Sequence, residues 1–149
     1  MRDLDEIRVP GAPQAGRTEG ERRELDVPRF AQPDDVTCGP TCLMQVYRFY
    51  GDELPYEDIV SDTPRNPDGG TQAVWLGSSA LRHGYRATLY PFDLRVFDPS
   101  WFDLPQKALE VKLAQRQEAA PKARLRLTLS AWREYLAAGG RVEFAELTA

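Results

Sequence analysis

A mainly helical α+β domain is the fold class this sequence predicts, and three observations predict it. Cys42, Leu43, Val46, Tyr47, Phe49 and Tyr50 recur at the i, i+3, i+4, i+7 spacing of a half-buried helix. Val74, Ser78 and Leu81, and later Leu129, Trp132 and Leu136, repeat that period in two further stretches. Residues 85–90 and 141–147 alternate instead, as short strands do.

Residues 1–24 mix Pro10, Gly11, Pro13, Gly16 and Gly20 with charges and show no period, so they read as a loosely held arm preceding a single domain over 25–149. Within 25–31, Leu25, Val27 and Phe30 allow one short strand, which Pro28 confines to a sheet edge. Thr37 is placed to cap the first helix, with Pro40 in its first turn, where amides have no intrahelical partner to lose. Gly51 stops that helix. A short helix over 54–60 starts at Pro55, and a Pro- and Gly-rich loop follows over 61–70.

Thr71 is the expected cap of the next helix, where Gly77, Ser78, Ser79 and Ala80 are small enough to let a neighbour come close, and Gly84 ends it. Phe97 to Phe102 reads as a turn anchored by aromatic rings. Composition favours a helix over 104–120 that Pro121 terminates, and another over 130–138 that Gly139 and Gly140 terminate.

The 149 residues suit one core, at 42% hydrophobic and 10% aromatic. A net charge of −4 argues against nucleic acid as a partner, because phosphates demand clustered Lys and Arg. No apolar run approaches the ~20 residues of a membrane span, and mean hydropathy is −0.52. The acidic start, Met1 to Glu6, has no apolar core of a secretory signal, so the expected location is cytoplasmic. Cys38 and Cys42, four apart on one helix face, suit a disulfide badly and are expected as free thiols.

The chemistry concentrates in residues 30–42. Gln32 precedes Cys38 by six positions, and Cys38-Gly39-Pro40 opens the helix. A cysteine at a helix start gains thiolate character from the dipole and the free amides there. Its own backbone N–H and a glutamine amide from the preceding loop can together receive an oxyanion. The sole histidine, His83, falls one residue before Gly84, where a helix-end role explains it better than catalysis. With a single histidine and two cysteines, four soft ligands for a structural metal are not available, so no metal or organic cofactor is expected.

Gln32-x5-Cys38-Gly39-Pro40, followed by a helix ending Tyr47-Arg48-Phe49-Tyr50-Gly51, resembles the papain-like cysteine peptidases of the C39 type, which include bacteriocin-leader processing domains. The stretch from Leu76 to Ala87 is similar to that group's second helix and its exit through glycine into a strand, so the resemblance spans about residues 25–90. It implies a papain-like fold represented mainly by its helical N-terminal lobe, with Cys38 as nucleophile, Gln32 as oxyanion donor and a peptide or protein as substrate. The family's later His and its Asp or Asn have no counterpart here, since no His follows His83. The expectation is therefore a peptidase relative lacking its His-bearing C-terminal sheet, inactive alone, with truncation as the explanation. The alternative is a degenerate, non-catalytic module that binds a peptide or a partner chain; an isolated lobe is also expected to expose an apolar face that a partner chain or self-association would cover.

Blander readings accompany the rest. Cys42 is expected in core packing. Asp34 and Asp35 read as a solvated loop whose charge mildly opposes a thiolate. Gly69-Gly70 reads as a plain turn, and the basic residues between Lys107 and Arg126 as a solvated face interleaved with Glu110 and Glu118.

Overall fold

The structure, a computed structural model, describes residues 24–144. Five helices and one pair of very short strands follow in the order α1 (Cys38–Phe49), α2 (Tyr56–Asp62), α3 (Ala73–Arg82), β1 (Thr88–Leu89), a 3₁₀ turn (Pro99–Trp101), α4 (Gln106–Ala119), α5 (Ala123–Ala137) and β2 (Arg141–Val142). The strands pair in parallel, Thr88 opposite Arg141 and Leu89 opposite Val142. Parallel neighbours need a long crossover, and α4 and α5 supply it. The helical α+β expectation holds at this level.

Three helices end in one motif for one reason. After α1, Gly51 takes φ +80°, its amide reaches Arg48 O at 3.0 Å and the Asp52 amide reaches Tyr47 O at 2.8 Å. This left-handed reversal satisfies carbonyls that the helix leaves orphaned. Gly84 and Gly139 close α3 and α5 with the same bond pair.

Several boundaries move. Residues 25–31 form no strand; with no neighbouring strand beside it, the alternation of Leu25 and Val27 has no ladder to join, and both Leu25 and Phe30 stay exposed. The cap of α3 is Gln72 rather than Thr71, because the Thr71 side chain is used elsewhere, packed against Gly39 at the start of α1. Along 85–90 the alternation survives as burial, odd positions half-buried and even ones exposed, yet only Thr88–Leu89 is in the ladder. Helix α5 starts at Ala123, a full two turns before 130. Leu125, Leu127 and Leu129 alternate with polar residues and conceal the helical period there. Of the 141–147 tract only residues 141–144 are described, with Arg141–Val142 in strand; residues 145–149 lie outside the described residues, as does all of the predicted arm except Glu24.

The core is in two parts with α3 between them. The larger joins Val74, Trp75, Val96, Phe97, Leu109, Leu113, Leu129, Trp132, Tyr135 and their neighbours. Phe97 meets Trp132 edge-on with ring centroids 4.9 Å apart, and Arg116 lies over the Trp101 ring at 4.6 Å. Tyr135 sits where α5, β1 and β2 meet, its hydroxyl 2.8 Å from both Ala87 O and Arg141 O. The smaller part joins Leu43, Tyr47 and Ile59 beneath α1. Gly77 lets α3 approach Tyr135 closely, since a Cβ there would stand 2.9 Å from the ring.

Candidate functional site

Cys38 occupies the first turn of α1 and is exposed. The loop before it is shaped by Asp34, whose Oδ1 accepts from the Val36 amide at 2.9 Å and the Thr37 hydroxyl at 2.8 Å. Those two donors, the Val36 amide foremost, hold the Asp34 carboxyl below the usual carboxylate range. Thr37, engaged with Asp34, does not cap the helix through its side chain. The first helical bond runs from the Thr41 amide to Thr37 O at 3.0 Å, and among the described residues the Cys38 and Gly39 amides have no partner. Two backbone donors therefore stand free beside the sulfur, as the ends of helices generally provide.

Gly39 is fixed by proximity. A Cβ at that position would lie 3.0 Å from Thr71 Cβ and 3.2 Å from Leu76 Cδ2, so the start of α1 rests directly on the approach to α3. Thr71 Oγ1 is buried there without a hydrogen bond among the described residues. Gly69 and Gly70, at φ +96° and +77°, make the turn expected of them, closed by the Asn66 amide on Gly70 O at 2.9 Å, and Gly69 lies beside Val36.

Gln32 is exposed, and its amide nitrogen donates to Asp34 O within its own loop at 2.5 Å. No hydrogen bond joins it to Cys38 among the described residues. Cys42 is a correction: it is exposed, not packed in the core. Helix α1 buries Gly39, Pro40, Leu43 and Tyr47, which turns Cys38, Cys42 and Val46 together to the opposite side. Val46 remains 43% exposed and Tyr50 45%.

His83 caps the C-terminal end of α3, as a helix-end residue should. Its ring meets Tyr47 edge-on with centroids 5.3 Å apart, and its Nε2 is 3.4 Å from Asp62 Oδ2. Tyr47 lies nine residues beyond Cys38 along α1, roughly 13 Å at 1.5 Å per residue. The histidine thus packs against the far end of the helix that carries the cysteine, and its Nε2 is buried without a hydrogen bond among the described residues.

Asp62 forms a polar knot that the sequence does not announce. Ser79 Oγ donates to Asp62 Oδ2 at 3.1 Å, Arg82 Nε to Oδ1 at 2.8 Å, and the Tyr47 hydroxyl is 3.1 Å from Ser79 Oγ. Serine, histidine and aspartate meet here, but the carboxylate stands between the other two. A hydrolytic triad needs the imidazole in that middle place, and Ser79 is fully buried, so the knot ties α1, α2 and α3 together instead. Its residues come from three elements, and no local spacing could have exposed it.

A polar cavity of about 250 Å³ lies on the other side of α3, lined by Gln72, Asp93, Arg95, Arg124, Thr128 and Trp132 among others. Both arginines are already engaged: Arg95 with Asp93 at 2.8 Å, and Arg124 with Asp68 at 2.6 Å. No group of three or more His, Cys, Asp or Glu among the described residues could hold a metal, and no described helix is long and apolar enough to cross a membrane.

Comparison with protein-family models, with curated proteins and with solved structures finds no match to this chain.

Proposed function

We propose that this chain carries the nucleophile-bearing part of a C39-like, papain-type cysteine peptidase site, and that it does not hydrolyse peptides by itself. The observation that carries the reading is the exposed Cys38 thiol in the first turn of a helix whose adjacent amides, on Cys38 and Gly39, are free. In that chemistry the Cys38 sulfur attacks an amide carbonyl and the Cys38 amide receives the developing oxyanion, joined by the Gln32 side chain once it leaves Asp34 O. Protonation of the leaving amine requires an acid at the sulfur. His83, packed between Tyr47 and Asp62, is set aside for that role, and since it is the sole histidine, an imidazole acid would have to come from outside these 149 residues. The reaction needs no metal or organic cofactor.

A second reading, a non-catalytic module that binds a peptide or partner chain, is favoured by one observation: Val46 and Tyr50 lie exposed on the helix that presents the thiol. Alkylation with iodoacetamide near pH 7 separates the two. Both thiols are exposed, so any difference in rate reports the helix start and not access. The peptidase-site reading expects Cys38 to be modified several-fold faster than Cys42, at a rate unchanged in His83→Ala. Equal rates at the two thiols would remove it and leave the binding module.

A further inference from the structure

Cys42 has no part in the chemistry proposed above, and its exposure is unexpected, since a free cysteine is among the most buried residue types. It stands one turn from Cys38 on the same open side of α1, and both are free thiols. Side chains four apart on a helix have Cβ atoms about 5–6 Å from each other. A disulfide needs that separation to be roughly 3.5–4.5 Å, so closing one would unwind the first turn of α1. A metal–thiolate bond of ~2.3 Å makes a linear S–metal–S bridge roughly 4.6 Å long, which the helical spacing accommodates without distortion.

We propose that Cys38 and Cys42 together form a two-coordinate site for a soft, monovalent d¹⁰ cation of the Cu(I) class. Thiolates select such ions over hard ones, and the Asp34 and Asp35 carboxylates upstream are poor competitors for them. Tetrahedral zinc is disfavoured by ligand count, because no third His, Cys, Asp or Glu joins the pair among the described residues. Binding displaces both thiol protons and leaves a bis-thiolate complex of charge −1. The free Cys38 and Gly39 amides and the positive end of the α1 dipole lie where they compensate that charge. No oxidant or reductant enters. The inference rests on the two thiols alone and not on the peptidase reading, but it has a consequence for that reading: a bound ion occupies the Cys38 sulfur and blocks any attack by it.

The test is an anaerobic titration of the full chain with Cu(I) in competition with the chromophoric chelator bicinchoninate, with native mass spectrometry for stoichiometry. One ion per chain is expected, with Cys42→Ser and Cys38→Ser each weakening binding by roughly 100-fold or more, the loss of a second tethered ligand. Both variants change exposed side chains and are expected to melt at the wild-type temperature, which separates lost binding from lost folding. Ag(I) should reproduce the binding, and Zn(II) at the same concentration should not. Equal affinity in wild type and Cys42→Ser, one ion shared by two chains, or zinc bound as tightly as Cu(I) would each overturn the site. The alkylation rate of the metal-free protein reports the peptidase reading separately, so either inference can fail without the other.

Discussion

Helix α1 and its neighbours on one side of α3 are held differently from α4 and α5 on the other. Beneath α1 the buried apolar residues are Leu43, Tyr47 and Ile59, and polar ties do much of the fastening: the Asp62 knot, the Thr41 hydroxyl 3.1 Å from that of Tyr56, and the Tyr85 hydroxyl on the Asp52 carboxylate. Behind α3 lies a broader apolar core of Leu109, Leu113, Leu129, Phe97 and Trp132, whose polar ties, the Tyr135 hydroxyl and the Gln106 amide on Val142, sit at the strand pair rather than among the helices. The difference teaches where a reactive helix can be kept. A thin, hydrogen-bonded seat sets the orientation of α1 while leaving its thiol-bearing side open, whereas the thick core holds the overall shape.

The largest break should come from Gly140→Ala. A Cβ there overlaps the Tyr135 ring, which is fully buried and tied to both strands, so the substitution should cost about 3 kcal/mol or more in urea unfolding. Next, Leu113→Ala in the thick core should cost about 4 kcal/mol and Leu43→Ala in the thin one about 2 kcal/mol, because solvent and neighbours can fill the smaller cluster more readily. Equal costs would show that the two seats are not distinct. Tyr47→Phe, which deletes one buried hydroxyl while Ser79 keeps its bond to Asp62, should cost only about 1 kcal/mol.

The smallest effect at neutral pH is an alkaline one. Burial pushes the Tyr135 hydroxyl up to about 12 and raises those of Tyr47 and Tyr85 as well. Groups whose folded pKa is raised contribute stability that is fully present below the unfolded value, near 10, and lost as pH climbs toward the folded one. Stability should therefore be flat through neutral pH and fall between about 10 and 12. In Tyr135→Phe that fall should be shallower, read by denaturation across the pH series.

How much of this was legible in the chain varies by residue. The helical period around Leu43 and Tyr47 was plain, and so was its glycine stop. The same run widens the apolar stripe with Cys42, Val46, Phe49 and Tyr50 to about 160° of the circumference at ~100° per residue, so period alone could not say which edge of the stripe would be buried. Cys42 was accordingly placed inside when it lies outside. Cys38 at the head of the helix followed from Thr37 and Pro40, though the capping role given to the Thr37 hydroxyl went to no side chain once Asp34 engaged it. His83 as a helix-end residue was readable from Gly84 beside it. Its partner Asp62, 21 residues earlier and on another helix, was not.

By itself the sequence determined where helices run and stop, since backbone preference, glycine conformation and apolar period are local properties of neighbouring residues. Only the tertiary structure decided which face of α1 is sealed, that two thiols share the open one, and that the lone imidazole packs on the Tyr47 ring with its Nε2 3.4 Å from Asp62. Those outcomes depend on what packs against each element, and contacts between residues far apart in the chain leave no mark on local spacing.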